Sequence, residues 1–217
     1  MNSRPDNLAR LYLIRHGETA WSLSGQHTGR TDIPLTDKGE QEARRLAARL
    51  RDVTFSRVFT SPRQRARRTC ELVALEAVTE REPDLTEWDY GDYEGKRSAD
   101  IRVARPGWNL FRDGCPGGES PTEISNRADR VIARVRALEG NVAVFSHGHF
   151  GRVLAARWIG FSVEQAQPFL LGTASVSVLG YEHNVAAEPA IVLWNALSNE
   201  TSDVLPSAVP RDGQHLP

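Results

Sequence analysis

The chain alternates between short apolar runs and longer stretches in which apolar residues recur every three or four positions. Leu11 to Ile14 is a run of the first kind, and it stops at Arg15, His16 and Gly17. That pattern predicts a buried strand that delivers polar residues to a loop. From Thr36 to Arg51, the residues Ala43, Leu46, Ala47 and Leu50 fall on one helical face, with Thr36 placed to cap it and Asp37 in the first turn. Val58 to Thr60 reads as a short strand. Ser61 and Pro62 then read as the cap and first-turn pair of a helix whose face is Ala66, Cys70, Val73 and Ala74. A third strand is predicted near Ala77 to Arg81.

Asp84 to Gly118 is rich in Gly, Pro, Trp and Tyr and reads as an elaborated loop region with short helical pieces. Ser120, Pro121 and Glu123 form a capping box with proline at the first helical position. The face that follows is Ile124, Ala128, Val131, Ile132 and Val135, and the helix should end near Gly140. A fourth strand is predicted over Val142 to Phe145, a helix over His149 to Trp158 closed by Gly160, and two more strands over Ser175 to Tyr181 and Ala190 to Leu197. Such alternation predicts the α/β class, a three-layer α/β/α sandwich around a mainly parallel sheet with right-handed crossovers. His16, Ser61, Glu87 and His147 would then lie beyond the carboxyl ends of strands, where such sheets bind ligands. Residues 1–198 are expected to form one domain and residues 199–217 a loosely ordered tail.

Composition narrows the partners. Of 217 residues 40% are apolar and 25% charged, with a formal net charge of -1, which is ordinary for a soluble globular domain. The surplus of Lys and Arg that drives nucleic-acid binding is absent, so no nucleic-acid partner is expected, while the balance leaves room for a small phosphorylated metabolite held by a few local arginines. Cys70 and Cys115 are too few for a disulfide framework or a thiolate zinc site. Met1 to Arg10 has no apolar leader and no later stretch is long enough to cross a bilayer, so the expected location is cytoplasmic, with no membrane partner. A monomer or a homodimer is expected.

The polar residues delivered to the sheet edge carry the candidate chemistry. A guanidinium beside an imidazole, as in Arg15 and His16, can hold a phosphate against a nitrogen nucleophile. The bland alternative is a hydrogen-bonded structural histidine. Arg65 falls in the first turn of a helix, where the dipole adds to its field, although within the run Arg63, Arg65, Arg67 and Arg68 any one member can simply be solvated. Ser146, His147 and Gly148 bring a second imidazole to the same edge. His147 and His149 with a further His and a carboxylate could ligate zinc. However, alternate residues of an extended segment point opposite ways and no two-His helical spacing occurs, so no metal is expected. Glu87 lies among Trp88, Tyr90 and Tyr93, a setting that excludes water and suits a proton donor. Asp89, Asp92 and Glu94 compete for that role.

Together these residues resemble the histidine phosphatase superfamily over roughly Leu11 to Ser175. Arg15-His16-Gly17-Glu18-Thr19 is similar to its signature loop and Asp32 to Gln41 to the segment that follows. Ser61, Arg65, Ala66 and Thr69 are similar to its second arginine motif. Leu85, Glu87, Gly91, Glu94 and Gly95 fit the pattern around its proton donor, Gly117 to Ser120 its G-G-E-S element, and Ser146-His147-Gly148 its second histidine. The resemblance implies a two-step, cofactor-free reaction. His16 takes the phosphoryl group, Arg15, Arg65 and His147 neutralise its oxygens, Glu87 protonates the departing alcohol, and water completes the cycle.

The resemblance also assigns Ser22, Thr28, Gly29, Trp88, Tyr90, His149 and Ala174 to the substrate pocket, with Trp21, Trp108 and Phe111 as further candidate lining. Where many relatives have Asn after the Trp and then Arg-x-Gln-Gly, this chain has Ser22 and Gln26-His27-Thr28-Gly29, a departure that leaves the substrate open. The combination is similar to a subgroup of acid phosphatases and sugar-bisphosphate phosphatases. A phosphoglycerate mutase is the nearest alternative, but typical mutases carry a long insertion between donor and second histidine, whereas Glu87 and His147 are 60 positions apart. A non-catalytic phospho-ligand module is the other, and such proteins usually lack the nucleophile or the acid, both of which are present.

Overall fold

The computed structural model describes residues 8–197, so the predicted tail at 199–217 lies outside the described residues. Six strands form one sheet: β1 (Arg10–Arg15), β2 (Phe55–Thr60), β3 (Thr79–Arg81), β4 (Asn141–Ser146), β5 (Ser175–Tyr181) and β6 (Pro189–Leu197), in the order β3-β2-β4-β1-β5-β6. The first four are parallel, as predicted, while β5 runs antiparallel to β1 and β6 antiparallel to β5. The connection from Tyr181 to Pro189 is too short for a crossover helix, which forces the antiparallel pair.

Side chains alternate across the sheet and bury two cores. Leu11, Leu13, Val142 and Val144 face one side, against α6 (Pro121–Arg136), α7 (Gly148–Trp158) and the segment from Leu85 to Cys115. Tyr12, Ile14, Ala143 and Phe145 face the other, against α2 (Asp37–Leu50) and α3 (Gln64–Val73). The result is the three-layer sandwich the alternation predicted. Leu46 and Leu50 of α2 are fully buried, each contributing about 1.5–3 kcal/mol by removal from water. Thr36 caps α2 by accepting from the Gly39 amide at 3.0 Å, and Ser120 and Glu123 close the predicted capping box on α6. Three shorter helices complete the chain: α1 (Ala20–Ser24), α4 (Ser98–Ala104) and α5 (Leu110–Asp113), the last two inside the predicted loop region.

Local expectations differ from the structure in three places. Strand β2 begins at Phe55 rather than Val58, and a register shift between Phe55 and Arg57 breaks the alternation that would have announced it. Helix α3 begins at Gln64, with Arg63 and not Ser61 as its cap residue, because the Ser61 hydroxyl is engaged with the His147 ring at 2.7 Å. Ala74 is not on the buried face: it ends α3 in a left-handed conformation.

Candidate active site

Strands β1, β2 and β4 are parallel neighbours, so their carboxyl ends release His16, Ser61 and His147 at one edge. The ladder continues one step beyond them, with His16 N–H donating to Ser146 O at 3.1 Å and Ser61 N–H to Phe145 O at 2.9 Å. After His16 the chain crosses the first turn of α2 with no room for side chains. A Cβ on Gly17 would lie 2.3 Å from the Gly39 carbonyl oxygen, and one on Gly39 would lie 2.2 Å from that of Glu18. Glu18 fastens this crossing, its carboxylate accepting from Lys38 Nζ at 2.7 Å and Thr36 Oγ1 at 2.9 Å.

The imidazole of His16 is held in one tautomer. Its Nδ1 lies 2.8 Å from the Gly17 carbonyl oxygen, which can only accept, so Nδ1 carries the proton and Nε2 keeps its lone pair. Burial first, and then the charges of Arg65 and Arg15, hold its pKa well below the ordinary histidine value. The His147 ring lies 5.2 Å away, centroid to centroid. His147 Nδ1 accepts from Arg65 Nε at 3.2 Å, which leaves its proton on Nε2, directed at Ser61 Oγ. Burial and then Arg65 depress its pKa as well.

A cleft of about 200 Å³ opens beside His16 and is also lined by Arg15, Ser22, Thr28, Tyr90 and His149. The Nε donor of Arg15 is buried without a partner, and among the described residues no carboxylate lies within ion-pair distance of this guanidinium. A buried donor with nothing to bond costs free energy unless a ligand supplies the acceptor. Glu87 lines the same cleft. Its surroundings are backbone amides rather than the aromatic faces expected: Oε1 accepts from Trp88 N at 2.9 Å and Phe150 N at 2.7 Å, and Oε2 from His149 N at 3.0 Å. The last two belong to the first turn of α7, so this carboxylate occupies a helix N-terminus. Arg127, paired with Glu119 at 2.7 Å, donates to the carbonyls of Asp84 and Thr86 and so braces the backbone that carries Glu87.

Several predicted residues lie elsewhere. Arg65 and His147 do not line the cleft: Arg65 is completely buried, and its nitrogens are taken up by His147 and by carbonyls of the segment 28–31. Trp88 is core, fully buried, with Nε1 donating to Glu119 O at 2.8 Å. Trp108 and Phe111 are likewise buried away from the cleft, whereas Trp21 lines it. Gly29 is outside it because its backbone presses on Trp88, where a Cβ would lie 2.5 Å from the Trp88 carbonyl. Ala174 is buried in a left-handed conformation (φ 46°) and supports the site from behind, its N–H donating to His16 O at 3.0 Å. His147, at the N-cap of α7, turns to Arg65 and Ser61, and His149, inside that helix, to Tyr90 Oη at 2.6 Å.

Among the cleft residues missed from the sequence, His27 and Arg152 carry ionisable side chains. His27 stacks on Tyr90 with centroids 4.5 Å apart, and burial lowers its pKa to about 4. Arg152 sits over the Phe111 ring at 4.6 Å, bonds the carbonyls of Ala166 and Gln167, and has its pKa lowered by burial to about 10. Its spacing of three from His149, one helical turn along the same face, was the available signal.

The four depressed imidazoles make a prediction about stability. In the unfolded chain His16, His27, His147 and His149 take up protons near pH 6.5, whereas in the folded chain they stay neutral well below it. Stability is therefore full above about pH 6.5 and falls as the pH drops toward 4, by ~1.4 kcal/mol per pH unit for each imidazole in its window. Urea unfolding between pH 7 and 4.5 measures this, and a flat profile would contradict the neutral-histidine picture.

The sequence model of the histidine phosphatase superfamily (branch 1) matches residues 11–197. The chain is 41% identical over 182 residues to an acid phosphatase of Mycobacterium tuberculosis, covering 81% of this chain and 88% of that one. It is 34% identical over 254 residues to a sedoheptulose 1,7-bisphosphatase of Saccharomyces cerevisiae, covering 87% and 93%. The solved structure of a Mycobacterium tuberculosis open reading frame product superposes with a TM-score of 0.82 at 35% identity, covering 88% of this chain and 99% of that one.

Proposed function

Since the chain belongs to the histidine phosphatase superfamily and is a phosphoric monoester hydrolase, we propose that it cleaves small phosphomonoesters without a metal, through a phosphohistidine on His16. The observation that carries this reading is the pinned tautomer of His16, which lines the same cleft as Arg15 with its unpartnered buried donor. In the first step Nε2 bonds to phosphorus, the ester P–O bond breaks, and Glu87 gives its proton to the departing oxygen. In the second, water attacks phosphorus, Glu87 takes back a proton, and inorganic phosphate leaves neutral His16. Transfer of this kind depends on positioning and on fixed positive charge, which Arg15 supplies at the cleft wall and Arg65 from immediately behind.

Sugar phosphates are the proposed substrates. The name of the sedoheptulose 1,7-bisphosphatase relative supports that class. Arg152 adds to it, as a second cleft cation that no carboxylate of the described residues pairs, suited to a second anionic group on the substrate. In a screen of sugar mono- and bisphosphates, phosphoglycerates and an aryl phosphate, phosphate release is expected for all, with the lowest KM among substrates carrying a second anion. With 3-phosphoglycerate plus bisphosphoglycerate, more phosphate than 2-phosphoglycerate is expected; the reverse would establish a mutase instead.

A further inference from the structure

Arg65 is a fully buried cation, and no carboxylate of the described residues is within ion-pair distance of it. Its charge is met by three carbonyl oxygens, of Thr28 at 2.9 Å, Gly29 at 3.3 Å and Thr31 at 3.0 Å, besides the His147 ring. These carbonyls belong to an irregular segment that no helix or strand holds in place. Beside the Arg30–Asp89 ion pair at 2.6 Å and the Gln64 amide on Asp32 Oδ1 at 2.8 Å, its main backbone restraint is the Glu94 carboxylate, which accepts from Gly29 N–H at 2.9 and 3.1 Å and from Thr31 N–H at 3.0 Å.

The two sets of bonds share a peptide group. Thr28 C=O and Gly29 N–H belong to one amide plane, with the guanidinium on its oxygen and the carboxylate on its hydrogen. The dipole of that amide is thus aligned between an anion and a cation, which strengthens both bonds relative to neutral partners. Gly29 packs closely against Trp88, where a Cβ would lie 2.5 Å from the Trp88 carbonyl oxygen. Glu94 itself does not line the cleft.

We infer that Glu94 is a positioning residue for Arg65, acting across the Thr28–Gly29 peptide to hold the guanidinium, and through it His147, in place behind the cleft, where its charge acts on the phosphoryl group. This rests on the reading of Arg65 as a phosphate-handling cation. Without the carboxylate the amides of Gly29 and Thr31 lose their acceptor, the segment rearranges, and the carbonyls that fix Arg65 shift with it. Misplacement of a catalytic cation by about 1 Å can cost on the order of 100-fold.

A double-mutant cycle on the full chain tests this, reading kcat/KM for an aryl phosphate and the inhibition constant of orthovanadate, an oxyanion probe. Glu94→Ala alone should lower kcat/KM by about 10- to 100-fold and weaken vanadate inhibition, with isosteric Glu94→Gln intermediate. In an Arg65→Ala background the same changes should each have less than about a twofold effect, because the group they position is gone. Equal effects in both backgrounds would overturn the inference while leaving Arg65 in its role. If Arg65→Ala by itself were harmless, the reading of Arg65 and the inference would fall together. Should Glu94→Ala not fold, Glu94→Gln carries the same cycle.

Discussion

Replacing His16 with Ala is expected to lower kcat by about 10⁴-fold or more for every phosphomonoester the enzyme accepts. The magnitude follows from the role proposed: without Nε2 the reaction loses its first covalent step, and the water that should attack a phosphohistidine must attack the ester directly. The geometry makes His16 hard to substitute. Its Nδ1 proton is committed to Gly17 O, its backbone is clamped by Ser146 O and by the amide of Ala174, and burial keeps the ring neutral. The companion measurement is a rapid alkaline quench with labelled substrate, followed by mapping of the phosphorylated peptide. Wild type should yield a base-stable, acid-labile phosphate on the peptide containing His16, and the variant none. Retention of a few per cent of wild-type turnover by the variant would show that His16 only binds the anion.

The second large effect is expected at Glu87, and it depends on the leaving group. Glu87→Gln preserves one acceptor oxygen for the amides of Trp88, His149 and Phe150 but removes the transferable proton. Hydrolysis of an alkyl phosphate, whose alkoxide leaves poorly, should slow by about 10²- to 10⁴-fold, the range of general acid catalysis. A nitrophenyl phosphate, whose leaving group needs little protonation, should lose less than about tenfold. The two rates plotted across a series of alcohols should diverge steadily as the alcohol becomes more basic. Parallel loss across the series would move the acid role away from Glu87, with Asp89 the next carboxylate to test.

Much of this was legible in the chain because each element announces itself locally. The helical faces of α2 and α6 follow from apolar spacing, and the capping residues Thr36 and Ser120 follow from hydroxyls at the right offset. The delivery of His16 and His147 to one edge follows from two apolar strands that both stop at a histidine. What was not legible depends on tertiary contact. The antiparallel edge, the bulge in β2 and the recruitment of Ser61 by His147 are fixed by partners far away in sequence. The same holds in the cleft. Whether an aromatic lines a pocket or fills a core is decided by packing from several directions, so Tyr90 faces the cleft while Trp88, two residues earlier, is buried under Glu119. Arg65 sat in a run of four arginines in which composition singles out none, and its burial beneath three carbonyls had no local signature.

The crossing of Gly17 over Gly39 bears on how this scaffold can be altered. Neither residue has a side chain to contribute to a reaction, yet a methyl group on Gly17 would meet the Gly39 carbonyl and one on Gly39 would meet the backbone of Glu18. In a saturation library scored only for activity, both positions should look as unforgiving as the histidine next door, for reasons of volume alone. An engineer transplanting the Arg15–Thr19 loop to another protein would have to carry the opening turn of α2 along with it as one cassette.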